Sequence, residues 1–170
     1  MIADIPAQGS GFLETPIERT VDMIQLNITA LTELSFLFGR DMAARNSGHI
    51  LLVASLLAFQ PVPTFAATKA YVLALGEALH DEMRSQGVVV TSLCPGHTET
   101  GFDIAAGATV STLLRILTMK PRPVAASGIK ALSKGRDSVV AGVLNNLVVL
   151  LNRLIPRSMQ RSSMRKVLES

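Results

Sequence analysis

The segment that decides the fold is residues 49–55, HILLVAS, an apolar run that ends in a serine. The turn sequence Asn46-Ser47-Gly48 precedes it, and Pro61 and Pro63 follow, so residues that interrupt regular structure bound it on both sides. A short, continuous apolar run with such borders is typical of a strand buried on both faces, as in a parallel sheet. We therefore expect a buried strand over residues 49–54.

A second strand of the same kind is predicted at Val88–Cys94, which ends at the breaker pair Pro95-Gly96. Residues 65–86, between the two strands, predict a helix with Gly87 as its left-handed stop. A helix that connects two buried strands is typical of an α/β sheet with crossover helices. The apolar residues that this helix is expected to turn inward are Val72, Leu75, Leu79 and Met83.

The chain ahead of the first strand predicts one long amphipathic helix over residues 16–45. Thr15 is expected to cap it, Pro16 to take the first helical position, and Glu18 to complete a capping box. Apolar residues then recur at steps of three or four, which is the spacing of one helix face. These residues are Ile17, Val21, Ile24, Ile28, Leu31, Leu34, Phe38 and Met42.

Downstream, the pattern predicts short helices near residues 111–118 and 122–134, a strand at 138–142 and an apolar helix from about residue 144. Residues 1–14 lack periodicity and are expected to form a loop. No internal repeat or linker divides the chain, so we expect one domain over residues 1–170. The predicted fold class is α/β, with a short parallel sheet between layers of helices.

Composition excludes several classes of protein. A chain that is 48% hydrophobic and 17% charged is not disordered, because disorder needs low hydrophobicity and high charge. The apolar run Leu147–Leu151 is only five residues long, whereas a membrane span needs about 18 or more. Cys94 is the lone cysteine, and the start of the sequence lacks a signal-peptide pattern. We therefore expect a cytoplasmic protein.

Basic charge is concentrated at one end of the sequence. Residues 152–170 carry a net charge of +4, and the remainder carries −1, with no Trp and one Tyr, so a nucleic-acid-binding face is not expected. An arginine every fourth residue from Arg153 to Arg165 predicts a basic stripe that suits weak contact with a membrane surface or an acidic partner. Pro156 and several serines favour the alternative of a solvated, frayed end.

Polar residues follow both predicted strands, where ligands bind in open α/β sheets. Ser55 ends the first strand, and Pro95-Gly96-His97-Thr98 follows the second. Lys69 begins the intervening helix within Ala-Thr-Lys-Ala, and Asn27 is a polar residue near the apolar stripe of the long amphipathic helix. In this order and spacing, these features make residues 12–142 resemble the short-chain dehydrogenase/reductase family.

The resemblance implies a partial Rossmann-like three-layer sandwich, with residues 12–142 as the family-like core and 143–170 as a C-terminal helix and basic tail. It also implies NADP or NAD as cofactor, hydride transfer to or from a small carbonyl or alcohol, and a homo-oligomer that pairs the long helices at 16–45 and 65–86. No metal is implied. By resemblance, Ser55 binds the substrate carbonyl, Lys69 binds the nicotinamide ribose and favours a phenolate, Asn27 holds a helix kink and a water, and Pro95, Gly96 and Thr98 line the nicotinamide carboxamide.

The sequence departs from the family pattern at the general acid. The family has Tyr four residues before its Lys, and position 65 is Phe. Either Phe65 replaces that Tyr, or the Tyr was deleted and Phe65 belonged to the loop. Tyr71 is expected to point about 200° away from Lys69 around the helix. His97 is a further candidate proton donor, or simply an exposed loop residue.

The second departure concerns the phosphate-binding turn. The family opens with a strand, a glycine-rich turn and a helix, whereas Gly9-Ser10-Gly11 is a lone G-x-G that follows no predicted strand. The chain thus resembles the last two thirds of such an enzyme with a new start, a truncated form whose N-terminal strands are missing. We expect impaired activity and loss of the adenosine half of the cofactor site. The alternative is a non-catalytic remnant that acts as an interaction or membrane-surface protein.

Overall fold

A computed structural model of the chain describes residues 12–61, 64–99, 118–156 and 159–160. The loop predicted at residues 1–14 and the short helix predicted near 111–118 lie almost wholly outside these ranges. In chain order, the elements are α1 (Ile17–Ile24), a π-helical segment (Gln25–Ala30), α2 (Leu31–Ala44), β1 (Gly48–Val53), a 3-10 turn (Leu56–Phe59), α3 (Phe65–Arg84), β2 (Val88–Cys94), α4 (Pro121–Ser133), β3 (Ser138–Val140) and α5 (Val143–Leu154).

The three strands form one parallel sheet in the order β1-β2-β3, which confirms the predicted α/β fold. Helices α2 and α3 cover one face of the sheet, and α4 covers the other, so the described residues form three layers. The prediction that the first strand is buried on both faces was wrong. His49 and Val53 are exposed because β1 lies at an edge of the sheet within the described ranges.

The main core lies between α3 and the sheet. Val72 of α3 and Val88 and Val90 of β2 are fully buried there, since β2 is the central strand. The predicted inward residue Met83 is buried as well. Gly76 lets the helix approach the strand, because a methyl group at this position would overlap the Ser92 hydroxyl. The close approach of α3 to β2 holds the start of α3 against the strand ends.

The stop predicted at Gly87 is confirmed. Gly87 has a φ of +69°, in the left-handed region that glycine adopts without strain. A Cβ at this position would also overlap the Asn46 carbonyl, which belongs to the turn before β1. The two turns that lead into β1 and β2 therefore pack against each other and set the parallel register in which Gly48 lies opposite Val88.

The long N-terminal helix forms but differs from its prediction in two ways. Pro16, with ψ of 132°, is the N-cap itself, so the assignments of Thr15 as cap and Pro16 as first helical residue were wrong. Only part of the predicted apolar stripe faces the core: Leu31 and Met42 pack against it. By contrast, Ile17, Leu34 and Phe38 are 61%, 51% and 58% exposed. The residues that α1 and α2 bury instead are Thr20, Met23, Ser35 and Gly39.

Candidate active site

Ser55 lies directly after β1, at the carboxyl end of the sheet. Its backbone is extended, and its Oγ accepts a hydrogen bond from the Leu57 amide at 3.1 Å, which caps the 3-10 turn. The Leu56 amide donates to the Pro95 carbonyl at 2.7 Å. This bond fastens the segment after β1 to the segment after β2, so the polar residues of both segments share one edge of the sheet.

Lys69 reaches the same edge from the first turns of α3. Its Nζ donates to the Val53 carbonyl at 3.1 Å, two residues before Ser55 in the chain. The Nζ also lies 5.7 Å from the centroid of the Phe65 ring, within the range of a cation–π contact. Burial lowers the pKa of Lys69, because desolvation disfavours the ammonium form. The structure thus places Lys69 at the strand end that is followed by Ser55.

Phe65 is the first residue of α3 and lies one turn before Lys69, with its ring on the Lys69 side of the helix. The ring carries no hydroxyl group that could exchange a proton. The hydroxyl of Tyr71 instead lies 2.8 Å from the Thr32 Oγ1 of α2. Tyr71 therefore contacts the long helix, whereas Lys69 contacts the strand end, as their angular separation on α3 predicted.

Asn27 lies inside the π-helical segment, where the long helix departs from α-helical geometry. Its Nδ2 donates to the Thr68 Oγ1 at 3.1 Å, and the Thr68 hydroxyl donates to the Phe65 carbonyl at 2.8 Å. This chain of bonds ties the π segment to the first turn of α3. Sequence reasoning missed the buried Thr68, although its place directly before Lys69 was a usable signal. That Asn27 holds a water stays a prediction.

The segment Pro95–Thr98 forms the second wall of the site. The Thr98 Oγ1 donates to the Gly96 carbonyl at 2.9 Å, and the His97 Nδ1 lies 2.8 Å from the Thr118 Oγ1. His97 is therefore half-buried and held by Thr118. The alternative that His97 is simply an exposed loop residue was wrong. The roles predicted for Pro95, Gly96 and Thr98 at a carboxamide stay predictions.

Asn145 of α5 was missed by the sequence analysis. The side chain is buried, its Nδ2 donates to the Ala141 carbonyl at 2.7 Å, and it packs so closely on Gly96 that a Cβ there would overlap the amide. The only signal in the sequence was an adjacent pair of asparagines at the start of an apolar helix. Asn145 thus packs against the turn at Gly96 and links that turn to the segment directly after β3.

Cys94 ends β2 within the main core, next to the site but facing away from solvent. Burial is the largest cause that raises the pKa of its thiol to about 12, and Glu77 raises it further. The prediction that Cys94 is a core residue and not a nucleophile is consistent with this environment, because only a thiolate attacks efficiently.

We expect Cys94 to resist alkylation in the folded chain. At pH 8 the thiolate fraction is about a thousandfold below that of an ordinary thiol of pKa 9.0, because of the raised pKa. Iodoacetamide labelling followed by mass spectrometry should be at least about a hundredfold slower in buffer than in urea. Equal rates in the two solvents would show that the thiol is exposed.

Two kinds of feature are missing from the described ranges of the chain. They contain no group of three or more His, Cys, Asp or Glu side chains that could hold a metal ion. None of the helices described there is both long enough and apolar enough to cross a membrane. The candidate site consists of Ser55, Lys69, Phe65, Asn27 and the Pro95–Thr98 turn.

Comparison with known families agrees with this geometry. A sequence model described as short chain dehydrogenase matches residues 4–110, well over half of the chain, and this stretch contains all the candidate site residues. The chain belongs to the short-chain dehydrogenase family. The match begins before α1 and includes both β1 and β2, so it covers the strand ends that carry the candidate site.

Curated relatives in this family cover only part of the chain. A 2-dehydro-3-deoxy-D-gluconate 5-dehydrogenase of Pseudoalteromonas atlantica is 40% identical over 81 residues, which is 46% of this chain and 32% of the relative. A very-long-chain 3-oxoacyl-CoA reductase of Anas platyrhynchos is 32% identical over 94 residues, 52% of this chain and 30% of the relative. The chain thus matches about a third of the length of these relatives.

Solved structures of short-chain dehydrogenases share the fold. One from Sphingobium yanoikuyae, in complex with NADPH, superposes with a TM-score of 0.73 at 25% identity over 82% of this chain and 55% of that one. One from Burkholderia cenocepacia, in complex with NADP, has a TM-score of 0.74 at 20% identity over 95% of this chain and 67% of that one. The likeness confirms the partial Rossmann-like architecture.

Proposed function

We propose that this chain retains the nicotinamide end of an NAD(P) site and transfers hydride to or from a small carbonyl or alcohol only poorly. The observation that carries the proposal is the position of Lys69, whose Nζ lies between the Phe65 ring and the Val53 carbonyl at the strand end next to Ser55. Two neighbours in fold are complexes with NADPH or NADP, which supports this choice of cofactor.

The described residues fit one end of the cofactor and not the other. At the nicotinamide end, Lys69 offers an ammonium for ribose hydroxyls, and Gly96 and Thr98 offer backbone and hydroxyl groups for a carboxamide. For a pyrophosphate, the family uses backbone amides at a glycine-rich helix start. Within the described ranges, α1, α3 and α4 begin after Pro16, Thr64 and Lys120, and α5 begins after the single Gly142, so none begins at a glycine-rich turn.

The bound cofactor would supply the hydride or accept it. Ser55 would bind the carbonyl oxygen of the substrate through its O–H, because its oxygen already accepts from the Leu57 amide. Lys69 would stabilise negative charge near that oxygen. Phe65 can neither donate nor accept a proton, whereas general acid–base catalysis contributes about 10²–10⁴ to such rates. The chain is therefore expected to bind the reacting groups and to turn them over slowly.

Titration with whole and divided cofactor tests the proposal. We expect NADPH and NADH to bind only in the millimolar range by calorimetry. By NMR, reduced nicotinamide mononucleotide should shift resonances near Lys69, and adenosine monophosphate should not. Lys69→Met is expected to abolish the mononucleotide shifts, and the exposed Lys134→Met should leave them unchanged. Micromolar NADPH binding with turnover would contradict the impairment, and absence of mononucleotide shifts would contradict the retained half-site.

A second candidate function is that of a non-catalytic interaction protein, favoured by the exposed apolar residues of α1 and α2. In this form two copies pair through residues 16–45 and 65–86 as a homo-oligomer, as the resemblance implies. Light scattering after size exclusion should give a mass of twice 18.1 kDa or more. A stable monomer without cofactor binding would contradict both candidates. Three expectations remain predictions: that the chain forms one domain, that it is a truncated form, and that it is cytoplasmic.

A further inference from the structure

The outward side of α5 is mostly apolar, with Asn146 and Arg153 as its exposed polar residues. Six of its side chains are between 48% and 90% exposed, and at about 100° per residue they occupy an arc of about 120° on the helix. We name this surface the α5 apolar face. Its members are Val143, Leu144, Leu147, Leu150, Leu151 and Leu154.

The opposite side of α5 attaches the helix to the domain. Asn145 and Val149 are buried, at 5% and 8% exposure, and the helix contacts the 3-10 turn after β1. This arrangement reverses that of an ordinary surface helix, whose apolar stripe faces the core and whose polar side faces water. Because packing against the domain does not use the α5 apolar face, that face is available for another contact. Contiguous exposed apolar surface of this kind marks interaction sites.

Positive charge borders the α5 apolar face. Arg153 is exposed and lies about 60° around the helix from Leu150, on the Val149 side, where its charge partly offsets the burial that raises the pKa of Glu77. The sequence continues with further arginines and a lysine, which give residues 152–170 a net charge of +4. A helix with one apolar side and flanking cations has the pattern of segments that lie on anionic bilayers, where lipid headgroups attract the cations.

The composition of the face favours lipid over a protein partner. All six residues are aliphatic, whereas protein interfaces concentrate their binding energy in Trp, Tyr and Arg anchors that fill shaped pockets. Aliphatic side chains with no aromatic anchor suit a fluid hydrocarbon layer. The helix has 12 residues, about 18 Å of rise, which suits lying within the interface and is too short to cross about 30 Å of hydrocarbon.

We propose that α5 docks this chain on anionic membrane surfaces, with the α5 apolar face in the headgroup–acyl boundary and Arg153 near acidic headgroups. The rest of the domain stays on the aqueous side, because Asn145 and Val149 hold the other side of the helix against it. This surface lies on α5 and is distinct from the candidate residues Ser55 and Lys69, so docking does not depend on hydride transfer.

Flotation of the full chain with vesicles tests the proposal. We expect binding to phosphatidylcholine vesicles that contain phosphatidylserine, and at least about tenfold weaker binding to phosphatidylcholine alone, with further weakening at high salt. The double variant Leu147→Asp/Leu151→Asp should lose at least about tenfold in vesicle partition, since both leucines leave the hydrocarbon boundary. Arg153→Gln should lose about fivefold.

The control is Ile129→Asp on α4, whose side chain is 61% exposed and lies outside the helices proposed to pair. The control should bind vesicles as the unmodified chain does. Circular dichroism checks folding, and Leu147→Ser/Leu151→Ser provides a milder pair if the aspartates unfold the chain. Unchanged vesicle binding by a folded α5 variant, or no binding by the unmodified chain, overturns the proposal.

A second copy of the chain is the competing occupant of the face. If Leu147→Asp/Leu151→Asp converts an oligomer into a monomer while the unmodified chain ignores vesicles, a second copy covers α5 and the proposal is wrong. The cofactor titrations test the proposed half-site and not the docking surface. Vesicle binding without any mononucleotide binding would support the docking surface and contradict only the proposed half-site.

Discussion

Replacing Phe65 with tyrosine is expected to raise the rate of carbonyl reduction by about 10²–10⁴, the usual contribution of a positioned general acid. The new hydroxyl would extend from a ring that already lies 5.7 Å from the Lys69 ammonium, on the side of α3 that faces the end of β1. Oxidation of NADPH at millimolar concentration, with a panel of aldehydes and ketones, measures the change. Lys69 would favour the phenolate form and so ease proton transfer.

Two controls separate this effect from a general change in the fold. Tyr71→Phe removes a hydroxyl that contacts Thr32 of α2, so activity should stay unchanged. Phe65→Tyr combined with Lys69→Met should lose most of the gain, because the cation that stabilises the phenolate is missing. A Phe65→Tyr chain that binds NADPH and remains inactive would show that the absent phenol is not the limiting defect.

A titration gives a readout that does not depend on cofactor. In a Tyr71→Phe background the phenol introduced at position 65 is the only tyrosine, since the natural chain has one. Its pKa should lie below the ordinary value of about 10, because the Lys69 ammonium stabilises the phenolate. Ultraviolet difference spectra follow this ionisation. A phenol pKa that stays the same when Lys69→Met is added would show that Lys69 does not act on the ring position.

The strands could be predicted because a buried parallel strand has a short, nearly continuous apolar sequence. Residues 88–94 carry apolar side chains on both faces, with Thr91 and Ser92 as the polar exceptions, and all but one residue of β2 are buried. Turn residues such as Gly87 also leave a trace, because the left-handed conformation strongly favours glycine. The order of the polar residues then placed Ser55 and the Pro95–Thr98 turn at one edge, since parallel strands end together.

The orientation of the long helix could not be predicted in the same way. An apolar stripe shows that a helix has a face to bury, but it does not show whether its own sheet or another body covers that face. The helix turns small and medium residues such as Ser35 and Gly39 to the domain, because these allow close approach to the core around Met83. Ile17 and Phe38 are exposed in consequence.

Hydrogen bonds from side chains to backbone groups also cannot be predicted from a sequence. Lys69 is held by the Val53 carbonyl, an acceptor that every residue type offers, so the spacing of side chains could not reveal it. Thr68 and Asn145 were missed for a related reason. Thr68 accepts a hydrogen bond from Asn27, and Asn145 packs on Gly96. Each contact joins elements that lie far apart in the chain, and only the packing of α3 and α5 brings these elements together.

Gly76→Val is expected to destabilise the domain by about 3 kcal/mol, at the upper end for overpacking in a core. A methyl group on Gly76 would already overlap the Ser92 hydroxyl and lie 3.2 Å from Leu52, so a branched side chain must push α3 away from β2. Urea unfolding followed by circular dichroism measures the loss. The control Ala78→Val is exposed on the same helix and should cost only about 0.6 kcal/mol of helix propensity.

The partner strand offers a rescue that isolates the contact. Within the described part of the chain, the buried Ser92 Oγ has no hydrogen-bond partner, so its removal should cost little or even stabilise. Gly76→Ala alone should destabilise, and Gly76→Ala with Ser92→Gly should recover most of that loss because the added methyl occupies the vacated space. If the two substitutions simply add, the overlap between α3 and β2 is not what makes glycine necessary at position 76.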